Sequence, residues 1–248
     1  MSEILISCLT PTVRSKGLRL VERALKNQDF TSYEWIIVAP EIIHEEIEKE
    51  ITIPHVLLKE PIKNKDDYWA VYKGYNEAVR HAKGELLISL QDYTFTKYDT
   101  FGRFWIHYQD EPKTLVTGVG NKYTSVYPEL GALIWKDPRK RSDFGTYYKV
   151  NPNDIEWNLS SVLKEAIYAV GGFDEELDKY SSCCGLDIAD RLAMIGGWEF
   201  KIDQTIESYS LVHERLPDWE KHNPFTNGAY KNRLHFYAEN SPVLNYLK

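Results

Sequence analysis

Over the first ninety residues the chain alternates short apolar runs with stripes at helical spacing. Ile4 to Leu9 is an apolar run stopped by Thr10-Pro11-Thr12, and Leu18, Val21 and Leu25 then recur every three or four positions up to Gln28. That pattern predicts strand, loop, helix. Trp35-Ile36-Ile37-Val38 predicts a second buried strand ended by Ala39-Pro40, Ile42 to Glu50 an acidic surface helix, and His55 to Leu58 a third strand behind Pro54. A polar loop, Lys63 to Asp67, leads into a long helix over Tyr68 to Ala82 that Gly84 terminates, and Leu86 to Leu90 is the fourth strand.

Strands that alternate with helices in this way argue a mostly parallel sheet flanked by helices, with ligands bound at the carboxyl ends of the strands. The second half is less regular. Leu115 to Val119 and Ala132 to Trp135 are predicted strands, Lys136 to Lys149 a charged surface loop, and Ser161 to Val170 a short helix ending at Gly171-Gly172. Leu186 to Ile195 is a firmer helix, with Ile188, Leu192 and Ile195 on one stripe and Gly196-Gly197 as its stop. A last helix is expected over Ala229 to Ala238. Nothing reads as a linker or repeat, so residues 1–248 are taken as a single domain, with a nucleotide-binding type of half over 1–93, a less regular half over 94–215 and a tail over 216–248.

Composition narrows the class. With 43% hydrophobic and 27% charged residues the chain is ordinary globular protein, and a net charge of −7 argues against nucleic acid as a partner, since duplex binding needs a basic face. Three Cys, two of them adjacent at Cys183 and Cys184, imply no disulfide framework and point to a reducing, cytoplasmic setting. No stretch reaches the roughly 18 apolar residues of a membrane span, and the N-terminus lacks the basic start of a signal peptide. No G-x-G-x-x-G or Walker A lysine motif follows a strand, which leaves dinucleotide and P-loop chemistry unsupported.

Chemistry-bearing residues occur in a fixed order: Thr10-Pro11-Thr12 after strand one, Asn76 on the helix before strand four, Gln91-Asp92-Tyr93 after that strand, Gly171-Gly172-Phe173-Asp174-Glu175, then Gly185-Leu186-Asp187 with Arg191, and His213. In this order, from about Ile4 to His213, the sequence resembles the GT-A glycosyltransferases, especially the inverting family 2. The resemblance implies a GT-A-like α/β fold and transfer, with inversion, of a sugar from a nucleotide-diphosphate sugar to a hydroxyl acceptor, such as a glycan. It implies nucleotide contacts at Thr10, Pro11, Thr12, Glu41, Asn76, Gln91 and Asp92, and a divalent cation, Mn or Mg, held by Asp92 and His213 beside the diphosphate. A leaving diphosphate needs such positive charge. Gln91-Asp92-Tyr93 stands where the family has Asp-x-Asp, and Leu186 where it has the Glu of Glu-Asp. Asp187 is then the expected general base, with helix capping and an i,i+4 pair to Arg191 as the structural alternative. Lys63, Lys65 and Arg215 are further cationic candidates, and Phe144, Tyr147, Tyr148 and Trp157 are candidate sugar-stacking rings. A sugar nucleotidyltransferase fits less well, because Thr10 to Lys16 contains no glycine to cradle a triphosphate. A catalytically silent carbohydrate-binding or assembly protein on the same scaffold fits the departures from both acidic motifs.

Overall fold

The structure is a computed structural model and describes residues 3–181, 184–213 and 216–247. Along the chain, β1 (Ile6–Pro11), α1 (Leu18–Lys26), β2 (Tyr33–Ala39), α2 (His44–Glu50), β3 (Val56–Lys59), α3 (Val71–His81) and β4 (Leu86–Leu90) build the first half. Then come β5 (Thr94–Thr96), α4 (Thr100–Asp110), β6 (Thr114–Tyr123), β7 (Leu133–Lys136), β8 (Tyr147–Lys149), β9 (Leu159–Leu163), α5 (Lys164–Ala169), α6 (Cys184–Ile195), β10 (Glu199–Leu211) and α7 (Ala229–Glu239). Among the described residues these strands form one sheet in the order β3-β2-β1-β4-β9-β6-β10-β5, with β7 added to β6 and β8 to β10.

Strands β1 to β4 are mutually parallel, as are β6 and β10, while β9 runs antiparallel between β4 and β6. The period-two alternation within β2 sets the two cores. Ile36 and Val38 pack with Tyr72, Tyr75 and Val79 of α3 and with Ile188 and Leu192 of α6; Trp35 and Ile37 pack on the opposite face with Leu18, Val21 and Leu25 of α1 and Phe101 and Phe104 of α4. Helices on both faces and a mostly parallel sheet are the architecture the spacing predicts.

Three departures matter. Residues 161–163, expected to be helical, belong to strand β9, which is buried on both faces at the centre of the sheet, and the helix begins only at Lys164. The expected loop over Lys136 to Lys149 ends in β8, paired to β10. Residues 216–247 are packed on the domain: α7 and the segment after it dock through Leu244 N–H to Val170 C=O and Tyr246 N–H to Gly171 C=O, both 2.9 Å. No described helix is long and apolar enough to cross a membrane.

Candidate functional site

A cleft of about 490 Å³ opens where the parallel strands end. Pro11, Thr12 and Arg14 line it from the loop after β1, Gln91 and Asp92 from the end of β4, and Glu156, Trp157 and Asn158 from the approach to β9. Gly185 and Leu186 reach it from α6, Lys122 and Trp135 from β6 and β7, and His213, Leu216, Trp219 and Phe225 from the chain after β10. These segments converge because the sheet brings them together: the Thr12 N–H donates to the Val38 C=O at 2.9 Å, and the Gln91 N–H to the Asn158 C=O at 3.2 Å. Glycine at 185 lets α6 start against that approach, since a Cβ there would lie 3.0 Å from the Trp157 nitrogen.

Asp92 is nearly buried and both of its carboxylate oxygens accept hydrogen bonds. Thr12 Oγ1 donates to Oδ2 at 2.7 Å, and Arg14 donates through Nε to Oδ2 at 3.1 Å and through a terminal nitrogen to Oδ1 at 2.9 Å. Arg14 also lies 5.0 Å over the ring of Tyr93, which has a positive φ of 58° and stacks on His213 with centroids 4.7 Å apart. A non-glycine residue in that conformation is uncommon and marks a turn whose shape the surroundings impose. Gly17 makes room for it, as a Cβ there would fall 2.4 Å from the Tyr93 ring. Desolvation, then the charge of Arg14, hold the His213 pKa below its ordinary value, partly opposed by the Leu211 carbonyl and Asp92, with Lys122 adding a smaller lowering effect. His213 is therefore a neutral imidazole at pH 7.

The structure thus brings Asp92 and His213 to one cleft, but the residues there do not fit the expected divalent cation. Mg and Mn need several oxygen ligands, and Asp92 Oδ2 already accepts twice and Oδ1 once, so the carboxylate keeps about one lone pair for an ion, beside the Arg14 guanidinium. Gln91 offers only a neutral amide in place of a second carboxylate. Among the described residues no group of three or more His, Cys, Asp or Glu is arranged to hold a metal. The positive charge at the end of β4 is the Arg14 guanidinium.

Other expected site residues fall elsewhere. Thr10 is fully buried, donating to the Leu90 C=O at 2.7 Å and accepting from Trp35 Nε1 at 2.9 Å, so it ties β1 to β4 and β2 rather than touching a nucleotide. Asn76 is fully buried and clamps the Gly-Gly-Phe-Asp-Glu turn to α3: it accepts from the Phe173 N–H at 2.8 Å and donates to the Phe173 C=O and Glu175. Glu41 points into solvent, paired with Lys59. Lys63 and Lys65 are exposed outside the cleft, and Arg215 and Cys183 lie outside the described residues. Phe144 and Tyr148 pack on each other, Tyr147 stacks on His107, and of the expected rings only Trp157 lines the cleft.

Asp187 is the largest correction. Its carboxylate is fully buried and accepts from Arg191 Nε at 2.9 Å, from a second Arg191 nitrogen, from the Asp174 N–H at 3.2 Å and from Tyr237 Oη at 2.8 Å. It is not among the residues that line the cleft, whereas its neighbours Gly185 and Leu186 are. The capping and ion-pair alternative describes it. Arg14, Lys122, Trp135, Glu156 and Trp219 were not read from the sequence as site residues. Arg14 was accessible to that reading, since it follows Thr12 by two positions on the first loop; the others come from segments that only the tertiary fold brings near.

No family model matches the chain, and no curated protein matches it in sequence. Solved structures do match in fold. Residues 1–349 of S. aureus TarS in complex with UDP superpose with a TM-score of 0.62 at 14% identity, covering 98% of this chain and 69% of that one. The same piece in complex with UDP-GlcNAc gives 0.63 at 14% identity, covering 98% and 70%. A longer TarS structure also gives 0.63 at 14% identity, with 97% of this chain covering 41% of that one. At this identity the likeness shows the fold, which is GT-A-like.

Proposed function

We propose that the chain is a glycosyltransferase that binds a nucleotide-diphosphate sugar in this cleft and transfers the sugar, with inversion, to a hydroxyl acceptor such as a glycan. The observation that carries this is the anion-binding corner at the ends of β1 and β4, where Arg14 is fixed by Asp92 and lies beside neutral His213 and near Lys122. A leaving diphosphate develops negative charge, and a preorganised guanidinium stabilises it without reorganisation at the moment of reaction. Pro11 and Thr12 supply the wall beneath the nucleotide, and Trp135, Trp219 and Phe225 offer rings to the apolar faces of sugars. The fold shared with TarS, whose structures hold UDP and UDP-GlcNAc, supports the donor class.

Isothermal titration with UDP and UDP-GlcNAc tests the reading. Binding is expected to be equal in EDTA and in Mn, because the charge is carried by Arg14. Arg14→Ala should weaken UDP by about tenfold or more, as a hydrogen bond to a charged group is worth about 1.5–3 kcal/mol. Absence of binding in both conditions would reject the nucleotide-sugar reading, and binding that requires Mn would reject the role given to Arg14. The placement of Asp187 in the core favours one second reading, a silent sugar-nucleotide binder on this scaffold. It predicts binding with no donor turnover at all.

A further inference from the structure

With Asp187 sealed in the core, the cleft needs another acceptor for the proton of the attacking hydroxyl. Among the described residues the cleft holds two carboxylates, Asp92 and Glu156, and Asp92 already accepts from Thr12 and Arg14. Glu156 differs. Its side chain is 43% exposed, Arg139 approaches Oε2 only to 3.6 Å, Asn158 Nδ2 donates weakly to the same oxygen at 3.4 Å, and no described residue hydrogen-bonds Oε1. Arg139 makes its direct hydrogen bonds to Asp137, with Nε donating to Oδ1 at 2.9 Å, and stands off from Glu156 as a longer-range ion pair.

The backbone of Glu156 is held as a site residue must be. Its carbonyl accepts from Thr117 Oγ1 at 3.0 Å and from Ser160 Oγ, and the start of α6 packs behind it through Gly185. It stands two residues before Asn158, whose carbonyl takes the Gln91 N–H at the end of β4. Glu156 and Arg14 line the same cleft, one from the approach to β9 and the other from the loop after β1.

We infer that Glu156 is the general base for the acceptor, an assignment that rests on the glycosyltransferase reading. In the step it serves, the acceptor O–H proton passes to a Glu156 carboxylate oxygen as the acceptor oxygen bonds to the anomeric carbon. The bond from that carbon to the diphosphate oxygen breaks, and the electron pair leaves with the diphosphate beside Arg14. Glu156 then returns its proton to solvent.

The test uses UDP-GlcNAc as probe and water as the acceptor, reading UDP release together with the dissociation constant from titration. Glu156→Gln should leave UDP-GlcNAc affinity unchanged and lower release by about 10²–10⁴. It should also remove the acid limb from the pH–rate profile, and Glu156→Asp should recover part of the rate. Glu41→Gln, on the solvent-facing residue far from this chemistry, should behave as the parent protein. Release by Glu156→Gln at the parent rate overturns the base assignment while leaving the transferase reading intact. Joint loss of binding and release overturns it as well, since that marks a positioning role. A parent protein that binds UDP-GlcNAc but releases no UDP favours the silent binder and overturns the base assignment, and one that does not bind rejects the nucleotide-sugar reading with it.

Discussion

Asp187 and Arg191 are both fully buried and paired with each other, neither side chain having solvent-accessible area. Arg191 also donates to the carbonyls of Val170 at 2.7 Å and Gly172 at 2.6 Å, so the pair fastens α6 to the Gly-Gly-Phe-Asp-Glu turn. Removing one partner leaves a charge with no solvent, which costs about 3–5 kcal/mol. In a domain of this size each kcal/mol moves Tm by about 2–4 °C, so Asp187→Asn should lower Tm by about 6 °C or more. Turnover of UDP-GlcNAc per folded molecule should persist at low temperature. Unchanged Tm with lost turnover would return the catalytic role to Asp187. The same residue shows what a motif read in one dimension leaves out. An acid at the start of a helix, followed four residues on by Arg, is written identically whether the acid faces a cleft or a core, and only the packing of Tyr237 and Asp174 around it decides.

At the scale of elements, the segment after α7 is held by glycine backbone. Gly171 has φ +73°, and a Cβ there would stand 1.6 Å from the Leu244 carbonyl oxygen; Gly196 has φ +76°, but its Cβ would meet nothing within 4 Å. Gly196→Ala therefore carries only the left-handed backbone penalty, about 1–2 kcal/mol. Gly171→Ala adds a collision with backbone and should detach the last residues, seen as a larger Tm loss than Gly196→Ala and as faster proteolysis after Glu239. Equal Tm losses and parallel digestion patterns would show that the segment does not depend on this contact. β1, β2, β4 and α1 were legible because strands buried on both faces are continuous apolar runs and α1 is a single stripe. The helix expected over 161–170 failed for the converse reason. Leu159-Ser160-Ser161-Val162-Leu163 carries no period of its own, and its strand state comes from pairing with β4 and β6 on either side. Most of strand β10 carries no apolar run, because Lys201 and Asp203 interrupt the pattern where they bond Glu111 and His107.

The whole molecule carries a charge of −7, yet its carboxyl groups do not all respond to pH in the same direction. Burial opposes ionisation of Asp137, but Arg139 and the Gly120 N–H hold its pKa below the ordinary value, so the stability it lends is present at neutral pH and lost as acid protonates it. Asp178 does the reverse. It is fully buried beneath the start of α3, and burial pushes its pKa up to about 8, against the Tyr72 and Lys73 N–H groups and the Lys73 ammonium, with Asp67 adding to the rise. The unfolded chain gives up this proton near pH ~4, whereas the folded chain holds it until about 8. Between those values the native state binds more protons, so stability falls as pH rises and levels off above the folded pKa. Asp178→Asn keeps an oxygen to accept from α3 and cannot ionise, so it lacks this decline. The Tm of Asp178→Asn minus that of the parent should therefore climb steadily from pH 5 to pH 8.5 in scanning calorimetry at fixed ionic strength. Parallel curves would mean that Asp178 is ionised throughout, with its charge carried by the two N–H groups it caps and by Lys73.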